Sequence, residues 1–382
     1  MNAIQTQCRD RLKFLKKKLG VKSQKEFRNL IREKMGTASD KSLIDRLLTF
    51  GGQIINYPDA EKGWKPFAIK AVDELLQQGN INAILSSSSP IRCHIIAREL
   101  KVKYGIPWIA DLRDLWSEYH KYSYSRLRLL FDRKLEIKTL SAADMLVIVS
   151  QPWAKKLGNL HSGKATCVIT NGFDPKNLKL PPIDLTDKFT ITFTGNLYSG
   201  NQDPTKLFSA LADLISEKKI DPVDFEIRFY GPRLKWLEKK SAEYHLSDIV
   251  RQYGTVPHEV AIDKQRESQI LLLLDWDNHE EKGVYPMKVF EYLAAGRPML
   301  VTGGISGNVI DDLLTETKAG IHAVEIDDIK NALMEFYKEY KQKGRTVFQG
   351  IKEEINKYSQ REMAGKFAAI MNRLVVETKE AR

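Results

Sequence analysis

The sequence predicts an α/β protein of two doubly wound, parallel-sheet domains, the first of them lacking its opening strands. Three observations carry that reading. Past residue 80, short continuous apolar runs alternate with longer amphipathic segments, which is how a parallel sheet covered by helices on both faces is written. The alternation breaks at a stretch of turn chemistry over 171–188 and then restarts. The opening eighty residues are charged and helical in pattern, with no buried strand ahead of a weak candidate at 53–57.

In chain order, the first half offers strands at 81–86, 107–111, 145–149 and 166–170, each followed by a polar or glycine-bearing turn. Asn171-Gly172-Phe173-Asp174-Pro175 and Pro181-Pro182 then punctuate the chain. The second half offers strands at 189–194, 225–230, 270–275 and 298–302, with a short one at 320–323. Between them, Leu207, Phe208, Leu211, Leu214 and Ile215 recur at helical spacing after Asp203-Pro204, and near the end Met363, Phe367, Ile370, Met371 and Leu374 trace a second apolar stripe. These stripes are read as core. The organisation expected is a helical, basic start of an incomplete first domain (1–80), the rest of that domain (81–175), a linker (176–188), a second domain (189–357) and a closing helix (358–382) that packs back on the first.

Composition excludes several classes. With 42% hydrophobic and 29% charged residues the chain is neither fibrous nor disordered. Three scattered cysteines, Cys8, Cys93 and Cys167, fit neither a disulfide framework nor a zinc site and suit a reducing compartment. The longest wholly aliphatic stretch considered, 270–274, is far too short to span a bilayer, and the lysine-rich start does not read as a secretory signal, so a cytoplasmic protein is expected. The net charge of +11 concentrates in the first tenth of the chain and in a tyrosine-bearing run from Tyr119 to Lys134. That mixture suits anionic lipid headgroups or phosphate-bearing substrates, the alternative being a solvated helix face. No zinc-finger spacing or RNA-binding signature accompanies the charge, so nucleic acid is not expected.

The richest stretch runs from Gly283 to Pro298, a glycine loop leading into a helix that stops at Gly296. Pro286 suits the first helical position, which leaves backbone amides and the positive end of the helix dipole for a diphosphate. Lys288 adds a full charge. Glu291, three residues on and on the same face, suits the paired hydroxyls of a ribose. The alternative is a surface ion pair between the two. Gly195-Asn196 follows the first strand of the second domain, while Gly231-Pro232 and Gly303-Gly304 follow two others. Three such turns at one sheet edge outline a crevice.

In the first domain, Ser86-Ser87-Ser88-Ser89-Pro90 bridges a strand and a helix, with hydroxyls for an anion or sugar unless they merely cap the helix. Asp111-Leu112-Arg113-Asp114 closes the next strand, where such domains keep their sites. Asp111 or Asp114 would bind sugar hydroxyls or assist proton transfer and Arg113 would stabilise phosphate, unless the three form an internal ion-pair network. Asp275-Trp276-Asp277 imitates a paired-aspartate metal signature without further ligands, and no metal site is assigned.

Taken together, Ser86 to Pro90, Pro107 to Trp116, Ala142 to Ser150, Asn171 to Asp174, Thr194 to Tyr198 and above all Pro286 to Pro298 resemble the group 1 retaining nucleotide-sugar glycosyltransferases, over about residues 60–380. That resemblance implies two facing Rossmann-like domains (the GT-B type) and metal-independent transfer of a sugar, with anomeric retention, from a UDP- or GDP-sugar. It implies no cofactor. The second domain would grip the donor nucleotide through Gly195, Asn196, Gly231, Pro286, Lys288 and Glu291. The first would meet a saccharide or lipid-linked acceptor, with Asp111, Arg113 and Asp114 as the catalytic residues and Ser87, Ser88 and Ser89 as an acceptor or phosphate loop. Asp-Leu-Arg-Asp is similar to the bacterial branch that builds surface polysaccharides at the inner membrane face, where the chain would sit peripherally. Departures are visible. Gly283 stands where many members carry a second glutamate, Asn196 where many carry arginine, and the nearest following lysine is Lys206. A truncated nucleotide-binding paralogue, or an epimerase or hydrolase of the same architecture, would read similarly.

Overall fold

The computed structural model describes residues 57–59, 62–79, 81–122, 124–198, 200–276 and 281–380. Residues 1–56 of the expected helical, basic start (1–80), and with them all but Tyr57 of the weak strand candidate, lie outside the described residues. The chain separates into two compact units, one formed by Met1–Ile148, Trp153–Val168 and Ala369–Arg382, the other by Val149–Pro152 and Ile169–Ala368.

The first unit holds four parallel strands in sequential order, β1 (Ile84–Ser88), β2 (Trp108–Leu112), β3 (Met145–Ile148) and β4 (Thr166–Val168). Helices α1 (Lys65–Gln77), α2 (Arg92–Tyr104), α3 (Arg126–Leu140) and α4 (Gln151–Leu160) separate or flank them. β2 and β3 are buried along their whole length, which is why both read as apolar runs, interrupted in β2 only by Asp111. The β1 run was expected at 81–86, yet the strand reaches Ser88 because its backbone pairs through Ser86↔Ala110 and Ser88↔Leu112. A ladder fixes a strand regardless of its side chains.

α3 is built the wrong way round for a surface helix. Arg128, Asp132 and Glu136 are buried, whereas Leu127, Leu130 and Phe131 are 54%, 65% and 57% exposed. An ordinary amphipathic helix does the opposite.

The second unit carries six parallel strands: β5 (Phe189–Thr194), β6 (Phe225–Tyr230), β7 (Val250–Gly254), β8 (Ile270–Leu274), β9 (Met299–Thr302) and β10 (Gly320–Ala323). Their order is β10-β9-β8-β5-β6-β7, so the winding reverses between β5 and β8. In such sheets ligands bind beyond the carboxyl ends of the strands at the reversal. Helices α5 (Thr205–Ser216), α6 (Lys235–Glu243), α7 (His258–Arg266), α8 (Lys288–Ala295), α9 (Val309–Thr317) and α10 (Ile326–Lys343) connect them, followed by α11 (Lys352–Asn356) and α12 (Gln360–Glu380).

β8 explains its own sequence. Ile270, Leu272 and Leu274 enter the core cluster that contains Leu207, Phe208 and Leu211, while Leu271 and Leu273 enter a second with Val289, Phe290 and Leu293. Successive side chains face opposite ways, so a strand covered on both sides must be apolar at every position. Each fully buried leucine or phenylalanine contributes about 1.5–3 kcal/mol. On α12, Phe367 and Leu374 are buried and Met363, Ile370 and Met371 half-buried, as the apolar stripe required.

One strand escaped the sequence reading. β7, Val250-Arg251-Gln252-Tyr253-Gly254, lies at the sheet edge with only Val250 buried, so it carries no apolar run.

Candidate functional site

The reversal point of the second unit opens onto a cavity of about 320 Å³ at the carboxyl ends of β5 and β6. β5 delivers the chain to Gly195, whose φ of +103° falls where side chains are strained. A Cβ on Gly195 would lie 2.7 Å from Lys288 Cε, and one on Gly231 would lie 2.1 Å from the Gly195 carbonyl oxygen. The two glycine turns therefore nest, leaving room for the stem of Lys288.

Lys288 opens α8. Its Nζ sits 4.6 Å from the centre of the Phe193 ring and donates a long 3.4 Å bond to the Asn196 carbonyl. Burial pulls its pKa down to about 8, with the charge of Glu291 acting in the opposite direction. Glu291, one turn on, is held from behind. Gln265 Nε2 donates to Glu291 Oε2 at 3.3 Å and to Thr194 Oγ1 at 2.9 Å, while the Thr194 amide donates to the Tyr292 hydroxyl at 3.0 Å. Among the described residues no ion pair within 4.0 Å joins Lys288 to Glu291, so the surface-pair alternative is not what forms.

Tyr230, Thr255 and His258 complete the wall with Gly195, Asn196, Gly231, Lys288 and Glu291. Tyr230 stacks on Tyr253 at 4.8 Å and 12°, and burial raises its pKa to about 12. The cavity thus offers a desolvated cation, an oriented carboxylate and an aromatic wall within one concave surface. The sequence reading missed Tyr230, Thr255, His258 and Gln265. His258 and Thr255 follow the overlooked β7, and recognising that strand would have flagged them. Gln265 reaches Glu291 only because α7 packs beside α8, which no local pattern announces.

Two expectations need correction. Pro286 was placed at the first helical position and among the donor-binding residues, but α8 begins at Lys288 and Pro286 does not line the cavity; its carbonyl accepts from the Val289 amide at 3.0 Å. Gly303-Gly304 follows β9, two strands from β5, and lines no part of this cavity. It packs instead on Asp275, since a Cβ on Gly304 would lie 2.3 Å from Asp275 Oδ2. Asp275 accepts from Asn308 Nδ2 at 2.7 Å and from the Trp276 amide at 2.8 Å, which ties it to the fold. Asp277 lies outside the described residues. Among the described residues no cluster of three metal-ligating side chains occurs.

The first unit has a cavity of about 490 Å³, lined by Ser88, Ser89, Asp114, Trp116, three tyrosines and the buried face of α3 among others. Asp114 stays exposed at its edge, yet the surrounding protein raises its pKa above the ordinary carboxylate value, opposed by His120, Lys121 and Arg113. Asp111, Arg113 and Ser87 behave differently. Asp111 is 6% exposed, pairs with Arg113 and accepts from Ser87 Oγ at 2.8 Å, and none of the three lines the cavity. Asp111 and Arg113 form an internal ion pair, whereas Asp114 lines the cavity. The serines do not cap α2: the Arg92 amide donates to Asp59 Oδ2 at 2.7 Å, and Ser86 is drawn inward to His94 and the Trp108 indole.

No family model matches the chain, and neither does any curated protein. Solved structures do. The chain is similar to a sucrose-phosphate synthase from Thermosynechococcus elongatus, at TM-score 0.55 and 14% identity over 83% of this chain and 80% of that one. It is similar to the lipopolysaccharide outer core galactosyltransferase WaaB in its apo form, at TM-score 0.54 and 14% identity over 82% and 80%. At these identities the likeness establishes the two-sheet α/β fold they share.

Proposed function

We propose that the protein is a glycosyltransferase that moves a sugar from a nucleoside-diphosphate sugar to a hydroxyl-bearing acceptor. The observation that carries this reading is the pairing of Lys288 and Glu291 over nested glycine turns at the reversal point of the second sheet. The fold shared with two sugar-handling enzymes supports it. Glu291, oriented by Gln265, accepts two hydrogen bonds from the ribose. Lys288 faces the diphosphate. As the bond from the anomeric carbon to the leaving oxygen breaks, charge grows on that diphosphate, and a preorganised ammonium in a desolvated pocket stabilises it without reorganisation. Metal-independent transfer follows from this assignment of the counter-charge to Lys288, and anomeric retention from the resemblance to group 1 enzymes. Asp114 takes an acceptor hydroxyl in the first unit, its raised pKa suiting proton transfer.

The acceptor chemistry and the exposed apolar face of α3 belong together in this reading. Leu127, Leu130 and Phe131 stand beside Arg126 and Lys134, an arrangement complementary to an anionic lipid surface that presents a saccharide or lipid-linked acceptor for surface-polysaccharide synthesis.

Calorimetry with UDP and GDP tests the donor site. One of the two is expected to bind the wild type, and Glu291→Ala to weaken it by roughly 10- to 100-fold, the loss of a charged acceptor for two hydroxyls. Silence from both nucleotides ends the proposal. Product analysis then separates outcomes: transfer needs an acceptor, whereas an epimerase or hydrolase consumes donor alone and a non-catalytic paralogue consumes none.

A further inference from the structure

α3 turns three charged side chains inward, and two of them, Arg128 and Asp132, line the cavity of the first unit. Asp132 is 3% exposed. Its Oδ2 accepts from both Arg128 Nε, at 3.3 Å, and the Tyr122 hydroxyl, at 2.5 Å, while its Oδ1 is buried without a hydrogen-bond partner. Arg128 is committed elsewhere as well, donating to the Pro58 carbonyl at 2.7 Å and lying 3.9 Å over the Tyr124 ring. Trp116 is 6% exposed, and its indole Nε1 is also buried without a partner. Both residues line the cavity of about 490 Å³, a size within the roughly 300–1,000 Å³ of small-molecule sites.

A buried acceptor and a buried donor without partners each cost on the order of 1–3 kcal/mol. Native proteins seldom keep such atoms unless something binds them. A hydroxyl group answers both, because it gives a proton to a carboxylate and accepts one from an indole. The other walls are Tyr119, Tyr122 and Tyr124, flat faces suited to the C–H face of a sugar ring. Charge argues against a phosphate ligand, since the lining sets three carboxylates, Asp59, Asp114 and Asp132, against two cations, Lys121 and Arg128, and Arg128 is already paired with Asp132.

We propose that this cavity is a saccharide-binding site in which Asp132 Oδ1 and Trp116 Nε1 read hydroxyls of a hexopyranose and the tyrosines stack on its ring. Within the glycosyl-transfer reading, on which the role but not the site depends, this makes the acceptor a sugar rather than a protein or a bare lipid.

Saturation-transfer NMR on the full chain, with no nucleotide present, tests the site. The probes are the methyl glycosides of glucose, galactose, mannose and N-acetylglucosamine. At least one is expected to receive saturation at its ring protons. Trp116→Phe keeps an aromatic ring but removes the indole donor together with its five-membered ring, so affinity should fall roughly 3- to 10-fold, and a deoxy analogue isolates the donor's share. Lacking the hydroxyl that meets Trp116, that analogue should be less sensitive to the substitution. Asp132→Asn serves as a second variant once its circular dichroism matches wild type, and it too should weaken binding. Glu291→Ala should bind the glycoside as wild type does, which separates this site from the donor cavity. No binding by any of the four glycosides, or unchanged affinity in Trp116→Phe, overturns the proposal.

Discussion

Lys288 keeps its charge in surroundings that resist it. Its folded pKa, about 8, lies below the 10.5 of an exposed lysine, so the charged form costs stability in full below pH 8 and the cost fades as pH rises toward 10.5. Lys288→Met keeps the stem over Phe193 and removes the charge. It is expected to raise stability at pH 7 by roughly 1 kcal/mol, read as a higher Tm, while weakening UDP or GDP. Nucleotide affinity of the wild type should hold steady below pH 8 and decline above it as the free protein loses the proton, and the substitution should flatten that profile. Calorimetry at pH 6.5, 7.5, 8.5 and 9.5 distinguishes this from a cation that plays no part. At this scale the sequence was informative about Lys288 and Glu291, whose spacing alone puts them on one face. It was silent about Gln265, which lies 26 residues from Glu291 and meets it only through packing.

Among the elements, α9 shows how a cap can serve two masters. Asn308 Oδ1 accepts from the amides of Ile310, at 2.9 Å, and Asp311, at 3.2 Å, while its Nδ2 donates to the buried Asp275. Asn308→Ala removes the cap and one partner of a buried carboxylate together. A loss of about 1–3 kcal/mol in urea unfolding is expected, larger than a cap alone gives. Asp275→Asn should cost less, because its amide carbonyl still accepts from Asn308. A result in the reverse order would mean that Asp275 is not the anchor. Legibility here followed burial. β5, β6 and β10 coincide with the apolar runs read from the sequence, whereas β7 sits at an edge and shows only one buried side chain. α3 was legible as a basic, tyrosine-flanked segment but not as an inverted helix, because which face turns inward is decided by what the core offers it.

For the whole molecule, the proposed membrane contact rests on the net charge of +11 and the apolar face of α3 together. Among the described residues no helix is long and apolar enough to cross a bilayer. The proposed surface binding should depend on both attractions. Co-sedimentation with vesicles containing phosphatidylserine is expected at low salt, to fall steeply between 50 and 500 mM NaCl as screening shortens from roughly 14 to 4 Å. Vesicles of phosphatidylcholine alone should not bind. Leu130→Glu with Phe131→Glu should abolish binding at constant Tm, since both side chains already face solvent; retention by that double variant would remove α3 from the interface.

The sequence by itself determined the α/β class, the two periodic regions and the helix that carries Lys288 and Glu291, because apolar periodicity and helical spacing are local properties of a chain. The tertiary structure alone decided that Gly231 nests on Gly195, that Ser87 donates to Asp111, and that Asp132 and Trp116 line one cavity. Those relations join residues distant in sequence. They depend on strand order and helix packing, which the pattern of any one segment does not encode.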